Sequence, residues 1–294
     1  MIVTRSRVLA LLAAAPLAAC GRAGDAVTVG SKNFTEELIL GEIYAQSLAH
    51  AGMTVRRRLD LGAADIAMAA LERGEIDLYP EYTGTALVNQ LHLPPDADPQ
   101  RAYDTVRAAY AQRYGLVWLE RSPFDDSQAL ASTRAVAMRY GMRTLSDVAR
   151  EAPRLVLGAI PEFLRRADGL PGLQRRYGGF AFKTVEQLDN GLKYEALRRG
   201  DVDVVVAFTT DGQIDADRLM VFEDDKHLFP AYQVAPVVRK AALDAHPRIA
   251  AALDRVAPLL TTDVMRHLNY QVDGPQKRDP GDVAREFLAQ RALG

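Results

Sequence analysis

Ala70-Leu71-Glu72-Arg73-Gly74-Glu75-Ile76-Asp77 and Ala196-Leu197-Arg198-Arg199-Gly200-Asp201-Val202-Asp203 share one skeleton: a helical end, a glycine, an acid, and an apolar residue before aspartate. Glycine just past a helix end suits the left-handed backbone that stops the helix there. Eight residues beyond each glycine stand Tyr82 and Phe208, each followed by threonine (Thr83, Thr209), and the offset is 126 for glycine and aromatic alike. Upstream, Val27-Thr28-Val29-Gly30 and Leu155-Val156-Leu157-Gly158 form a second matched pair, each a short apolar strand ending in glycine. After the first of these, Asn33 or Thr35 is placed to cap a helix whose first turn carries Glu36 and Glu37. Leu38, Ile39, Ile43 and Leu48 recur along it at helical spacing. A second helix from about Ala64 to Arg73 stops at Gly74, and Ile76-Asp77-Leu78-Tyr79 follows as a strand. Strands alternating with amphipathic helices predict an α/β fold, written here twice.

The 294 residues are enough for about two domains. Hydrophobic residues make up 48% and charged residues 25%, which excludes a disordered or coiled-coil chain. Lys and Arg total 36 against 38 Asp and Glu, so no basic field is available to hold a nucleic acid. One cysteine makes neither a disulfide framework nor a Cys-based metal site. No G-x-S-x-G elbow, H-E-x-x-H pair, phosphate loop or G-x-G-x-x-G is present, and His50, His92, His227, His246 and His267 are too scattered to share a metal. An enzyme is not expected, and no cofactor or metal is implied.

Residues 1–19 read as a signal peptide: Arg5 and Arg7 precede the apolar run Val8 to Leu17, which is too short to span a bilayer. Leu17-Ala18-Ala19-Cys20 is similar to a bacterial lipobox, with Cys20 the lipid attachment point. The expected location is the periplasm or the outer face of the cell membrane, touching the membrane only through that anchor.

Two similar α/β lobes bind ligands between them, beyond the carboxyl ends of the strands. Tyr82 and Phe208 fall there, one from each lobe. An aromatic face attracts a weakly hydrated cation, and a quaternary ammonium suits it best because it has no N–H to offer a carboxylate. Each contact is worth about 0.5–2 kcal/mol. Tyr232, in Phe229-Pro230-Ala231-Tyr232, is a third candidate ring.

Four separated motifs carry a resemblance: Val29-Gly30-Ser31-Lys32-Asn33-Phe34-Thr35-Glu36, Leu78-Tyr79-Pro80-Glu81-Tyr82-Thr83-Gly84-Thr85, Glu162-Phe163-Leu164-Arg165-Arg166-Ala167-Asp168-Gly169, and Ala207-Phe208-Thr209-Thr210-Asp211-Gly212. In order, across residues 27–273, they resemble the glycine betaine/choline-type (osmoprotectant) substrate-binding proteins of ABC importers. The resemblance implies a type II, two-lobed periplasmic binding-protein fold with an interlobe cleft. Its first lobe would take residues 27–126 and 230–294, and its second 127–229. It implies a monomer whose partners are a small quaternary ammonium ligand and an ABC permease with its ATPase. It places cage rings at Tyr82, Phe208 and Tyr232, and a clamp for the ligand carboxylate at Lys32, Arg166 and Thr85. Lys32 and Arg166 would supply charge-assisted hydrogen bonds from opposite lobes, favouring closure around the ligand.

The sequence departs from that family at the crossover into the second lobe. Asp125-Asp126-Ser127-Gln128-Ala129-Leu130 stands where an N-x-T-Y-A-L segment is usual, putting Gln128 at a cage position, and Phe208 replaces a tyrosine. A cage of three rings follows, or else Gln128 hydrogen-bonds a larger betaine such as carnitine or a histidine-derived betaine. Asp125 and Asp126 read as a solvated acidic turn, with approach to the ligand cation as the alternative. A sensory lobe pair for a methylated amine would use the same clamshell.

Overall fold

A computed structural model describes residues 26–229 and 231–293. The signal segment and Cys20 lie outside the described residues. The strands are β1 (Ala26–Gly30), β2 (Thr54–Arg58), β3 (Leu78–Tyr82), β4 (Leu116–Trp118), β5 (Gln128–Ser132), β6 (Val156–Ala159), β7 (Thr184–Gln187), β8 (Val204–Phe208), β9 (Met220–Val221) and β10 (Val234–Arg239). Among the described residues they make two five-stranded sheets, ordered β2-β1-β3-β10-β4 and β7-β6-β8-β5-β9.

The two orders are the same pattern used twice. In each sheet three parallel strands meet an antiparallel strand that has arrived from the other lobe: β10 runs against β3, and β5 against β8. The registers match as well, Val234 opposite Tyr82 and Gln128 opposite Phe208. Strand β10 returns the chain to the first lobe, where helices Thr262–Asp273 and Pro280–Ala289 then pack on helix Thr35–His50.

The repeated motif has a physical explanation. Gly74 and Gly200 end equivalent helices with φ of 71° and 78°, a conformation that costs glycine little. The aspartate at the end of each motif then clasps the neighbouring strand. Asp77 accepts the N–H of Thr28 at 2.8 Å, and Asp203 accepts that of Val156 at 2.9 Å. These two residues precede the strands rather than belonging to them, so the strand expected from Ile76 begins instead at Leu78. In β8, Val204, Val205 and Val206 are wholly buried, each contributing about 1.5–3 kcal/mol of apolar burial. Such a continuous apolar run belongs to a strand covered on both faces.

The first helix starts differently from the expectation. Its N-cap is Phe34 without a side-chain cap, while the Thr35 hydroxyl donates to Asp273 at 2.6 Å. Glu36 and Glu37 are buried rather than sitting on an open first turn, and Leu38 is only half-buried. This end of the helix faces into the cleft.

Candidate ligand cleft

Tyr82 is the last residue of β3 and Phe208 the last of β8, so both rings stand at strand carboxyl ends. The threonine after each ring pins a crossover segment. Thr83 Oγ1 donates to the Ala231 carbonyl at 2.9 Å and its N–H to that of Gln233 at 3.0 Å. Thr209 repeats the arrangement on the other crossover, donating to Asp125 O at 2.7 Å and to Ser127 O at 3.0 Å. The two crossovers also pair with each other through Asp125 and Gln233. Tyr232 lies in this double strap, and its ring covers Gly84: a Cβ there would stand 2.7 Å from the ring, so that motif position admits no side chain.

Lys32, Tyr82, Thr85, Gln128, Arg166, Phe208 and Tyr232 all line one small interlobe chamber of about 70 Å³. Four sequence-distant segments and both crossovers meet there. The chamber leads to an outer one of about 610 Å³ that shares Phe34, Asp126, Glu162 and Phe208 with it and adds Glu36, Lys193, Tyr194, Asp211 and Asn269.

Lys32 and Arg166, the cations expected to form a clamp, already hold carboxylates of the chain. Lys32 Nζ is 2.7 Å from Glu81 and 3.5 Å from Glu37. Burial opposes its charge, but Glu37 and Glu81 outweigh that and raise its pKa. Arg166 grips Asp168 with two parallel bonds of 2.8 and 2.7 Å, and also reaches Glu162 at 3.2 Å. Burial works against the Asp168 charge too, yet Arg166 holds that carboxyl below its usual range. Across the cleft Arg166 reaches Thr85 Oγ1 at 3.4 Å and the Tyr232 hydroxyl at 3.2 Å. Gln128 donates to the same hydroxyl at 2.6 Å and to Asp168 at 3.2 Å, and the hydroxyl donates to Asp168. Gln128 is therefore part of an Arg–Asp–Tyr network that ties the second lobe to the crossover.

Each of the three rings carries a cation of the chain. Lys32 Nζ lies 4.4 Å from the Tyr82 centroid, Lys193 Nζ 4.7 Å from that of Phe208, and the Arg166 guanidinium carbon 5.8 Å from that of Tyr232. Phe34 stacks on Tyr82 at 6.2 Å and 29°. The Tyr82 hydroxyl donates to Glu36 at 2.6 Å, which together with burial raises its pKa well above the ordinary value.

Acidic groups crowd the junction between the chambers. Asp126 is buried, accepts from Thr210 at 2.5 Å, and is pushed well up by burial and by Glu36. Asp125 caps the Tyr232 N–H at 3.0 Å. This acidic turn is thus not solvated: Asp125 holds the strap and Asp126 lines the cleft. Burial also pushes Glu37 up to about 8, with Lys32 opposing. The small chamber therefore offers ring faces beside Asp126 and Glu162 together with the two cations Lys32 and Arg166, contacts for both ends of a zwitterion.

Several residues of the cleft and of the network around it stand outside the expected set. Phe34 and Asp168 sit inside the quoted motifs, two residues from Lys32 and Arg166, and chain proximity was the available signal. Lys193 and Tyr194 belong to helix Asn190–Arg199 and carried no signal of their own.

Fold and cleft define a two-lobed binding protein of the type that captures a small solute for an importer. The residues 25–290 match the family described as the substrate-binding domain of ABC-type glycine betaine transport systems, and the chain belongs to that family. It is 37% identical to a glycine-betaine-binding protein of Pseudomonas aeruginosa over 96% of this chain and 93% of that one. It is 32% identical to an ergothioneine transport permease/binding protein of Helicobacter pylori, over 91% of this chain and 48% of that one. A crystal structure of a glycine betaine/carnitine/choline ABC transporter protein superposes with a TM-score of 0.76 at 29% identity, covering 91% of this chain and 99% of that one. The protein is the extracytoplasmic substrate-binding component of a betaine-type ABC importer; it binds its substrate and does not transform it.

Proposed function

We propose that the interlobe chamber binds a quaternary ammonium osmoprotectant, glycine betaine, choline or a related betaine, with its cation against the rings of Tyr82, Phe208 and Tyr232. Lys32, Arg166 and Thr85 meet a ligand carboxylate, and Gln128 positions Tyr232. The observation that carries this reading is the convergence of all seven residues on one chamber. Arg166 can turn its longer bond, the one of 3.2 Å to the half-exposed Glu162, toward a ligand carboxylate while keeping its two bonds to Asp168. A larger betaine, carnitine or a histidine-derived one, is the second reading. The outer chamber of about 610 Å³ favours it, as does the relative named for ergothioneine. In this reading the lobes are 27–126 with 230–294, and 127–229, and Cys20 tethers a monomeric protein by lipid beside its permease and ATPase.

Calorimetric titration with glycine betaine, choline, carnitine and ergothioneine tests the proposal. Tyr82→Ala abolishes the heat of binding. An unchanged affinity in that variant removes Tyr82 from the cage, and no heat with any of the four ligands removes the ligand class.

A further inference from the structure

Lys193 is a buried charge in the cleft that neither the helix nor the fold asks for. It is 1% exposed. It lies in the first turn of helix Asn190–Arg199, where the positive end of the helix dipole disfavours a cation. The offset of 126 that relates the two lobes places Ala67 at the equivalent point of helix Ala64–Glu72, also fully buried. The scaffold is therefore satisfied there by a methyl group, and the ammonium in the second lobe needs another explanation.

Its surroundings supply one. Lys193 Nζ stands 4.7 Å from the Phe208 centroid, 4.9 Å from that of Tyr194, 3.1 Å from Asp211 Oδ2 and 3.3 Å from Asn190 Oδ1. Two ring faces, a carboxylate and an amide oxygen around an ammonium form a complete cation box. One of its walls is Phe208, the ring that lines both chambers. We propose that Lys193, which lines the outer chamber, is a specificity-determining residue: a tethered ammonium that competes with the ligand cation for the ring of Phe208, shared by both chambers, and so sets the affinity of the site. This rests on the quaternary ammonium reading above and deepens it.

The competition is unequal in an informative way. Lys193 offers three N–H donors, two of which go to Asp211 and Asn190, whereas a quaternary ammonium has none and recovers only the ring contacts and the charge attraction. Removing the tethered cation frees the Phe208 ring of it and leaves the Asp211 charge to the ligand. Asp211 stays hydrogen-bonded by the Tyr194 hydroxyl at 2.5 Å and the Phe208 N–H at 2.9 Å, so the variant does not strand it.

The test is titration of the wild type, Lys193→Met and Lys193→Arg with tetramethylammonium chloride and with choline. Lys193→Met tightens both by roughly 2- to 30-fold, the value of one ring contact, while Lys193→Arg stays near the wild type. Unchanged or weaker binding by Lys193→Met overturns the inference, as does equal tightening by Lys193→Arg. If Lys193→Met fails to fold, the wild type still decides: the Lys193 ε-methylene NMR signal, shifted upfield by two rings, moves toward the ordinary lysine position at saturating tetramethylammonium. A signal that stays in place with ligand bound overturns the displacement. Binding by the wild type without gain in the variant removes this inference alone, whereas no binding of any quaternary ammonium by any form removes the proposed function and this inference with it.

Discussion

Replacing Asp168 with asparagine separates two effects that share one residue. The carboxylate is fully buried, its partner Arg166 is 12% exposed, and the pair is joined by two short bonds. Removing one partner of a buried ion pair costs about 3–5 kcal/mol, because the remaining charge is left without compensation. Asparagine keeps one acceptor oxygen for Arg166, which places Asp168→Asn near the lower end, about 3 kcal/mol. At about 2–4 °C per kcal/mol for a chain of this size, the melting temperature falls by about 6–12 °C. The released guanidinium is then free to turn toward Thr85 and a ligand carboxylate. A hydrogen bond to a charged group contributes about 1.5–3 kcal/mol, so glycine betaine gains roughly tenfold or more over choline, which has no carboxylate. Differential scanning calorimetry reads the first effect and isothermal titration with the two ligands reads the second. A melting temperature within a degree of the wild type would mean the pair is not buried as described. A fall in the glycine betaine to choline preference would refute the role of Arg166 as a carboxylate clamp held in reserve by Asp168.

The hinge hydroxyls give a second prediction. Thr83→Val loses the bond to the Ala231 carbonyl and the one accepted from the Gln233 N–H, Thr209→Val the bond to the Asp125 carbonyl, and each costs about 1 kcal/mol in urea denaturation. Because Asp125 and Gln233 pair with each other, the losses couple and the double variant departs from their sum; strictly additive losses would refute the coupling. A third concerns pH. Burial lifts Glu37 to about 8 from 4.5, so between those values the folded chain keeps a proton that the unfolded chain has released, and stability falls as pH rises, on the order of 1.4 kcal/mol per pH unit, levelling off above the folded value. Glu37→Gln keeps an acceptor for the Lys32 N–H and flattens the melting curve from pH 5 to 8; parallel wild-type and variant profiles would show that Glu37 does not titrate there.

Local patterns in the chain carried much of the architecture. Glycine after a helix, an apolar run and a following aspartate are short-range features, and their recurrence at one offset marked two related lobes before any contact was known. The proposed cage and clamp positions were legible only because their residues stand in motifs resembling those of a family; composition and spacing alone would have left Lys32 and Arg166 as ordinary surface charges. What the chain alone did not reveal is partnership. Whether Lys32 is free or held by Glu81 and Glu37, and whether Asp126 faces water or the cleft, depends on segments tens of residues apart. Lys193 makes the point most plainly, since its charge meets Phe208 and Asp211 only after a helix and a strand pack together. Periodicity, turns and caps are properties of neighbours along the chain, and the sequence determines them directly. The environment of a charge is set by the solvent that folding removes and by the groups brought into its place, which only the tertiary structure decides.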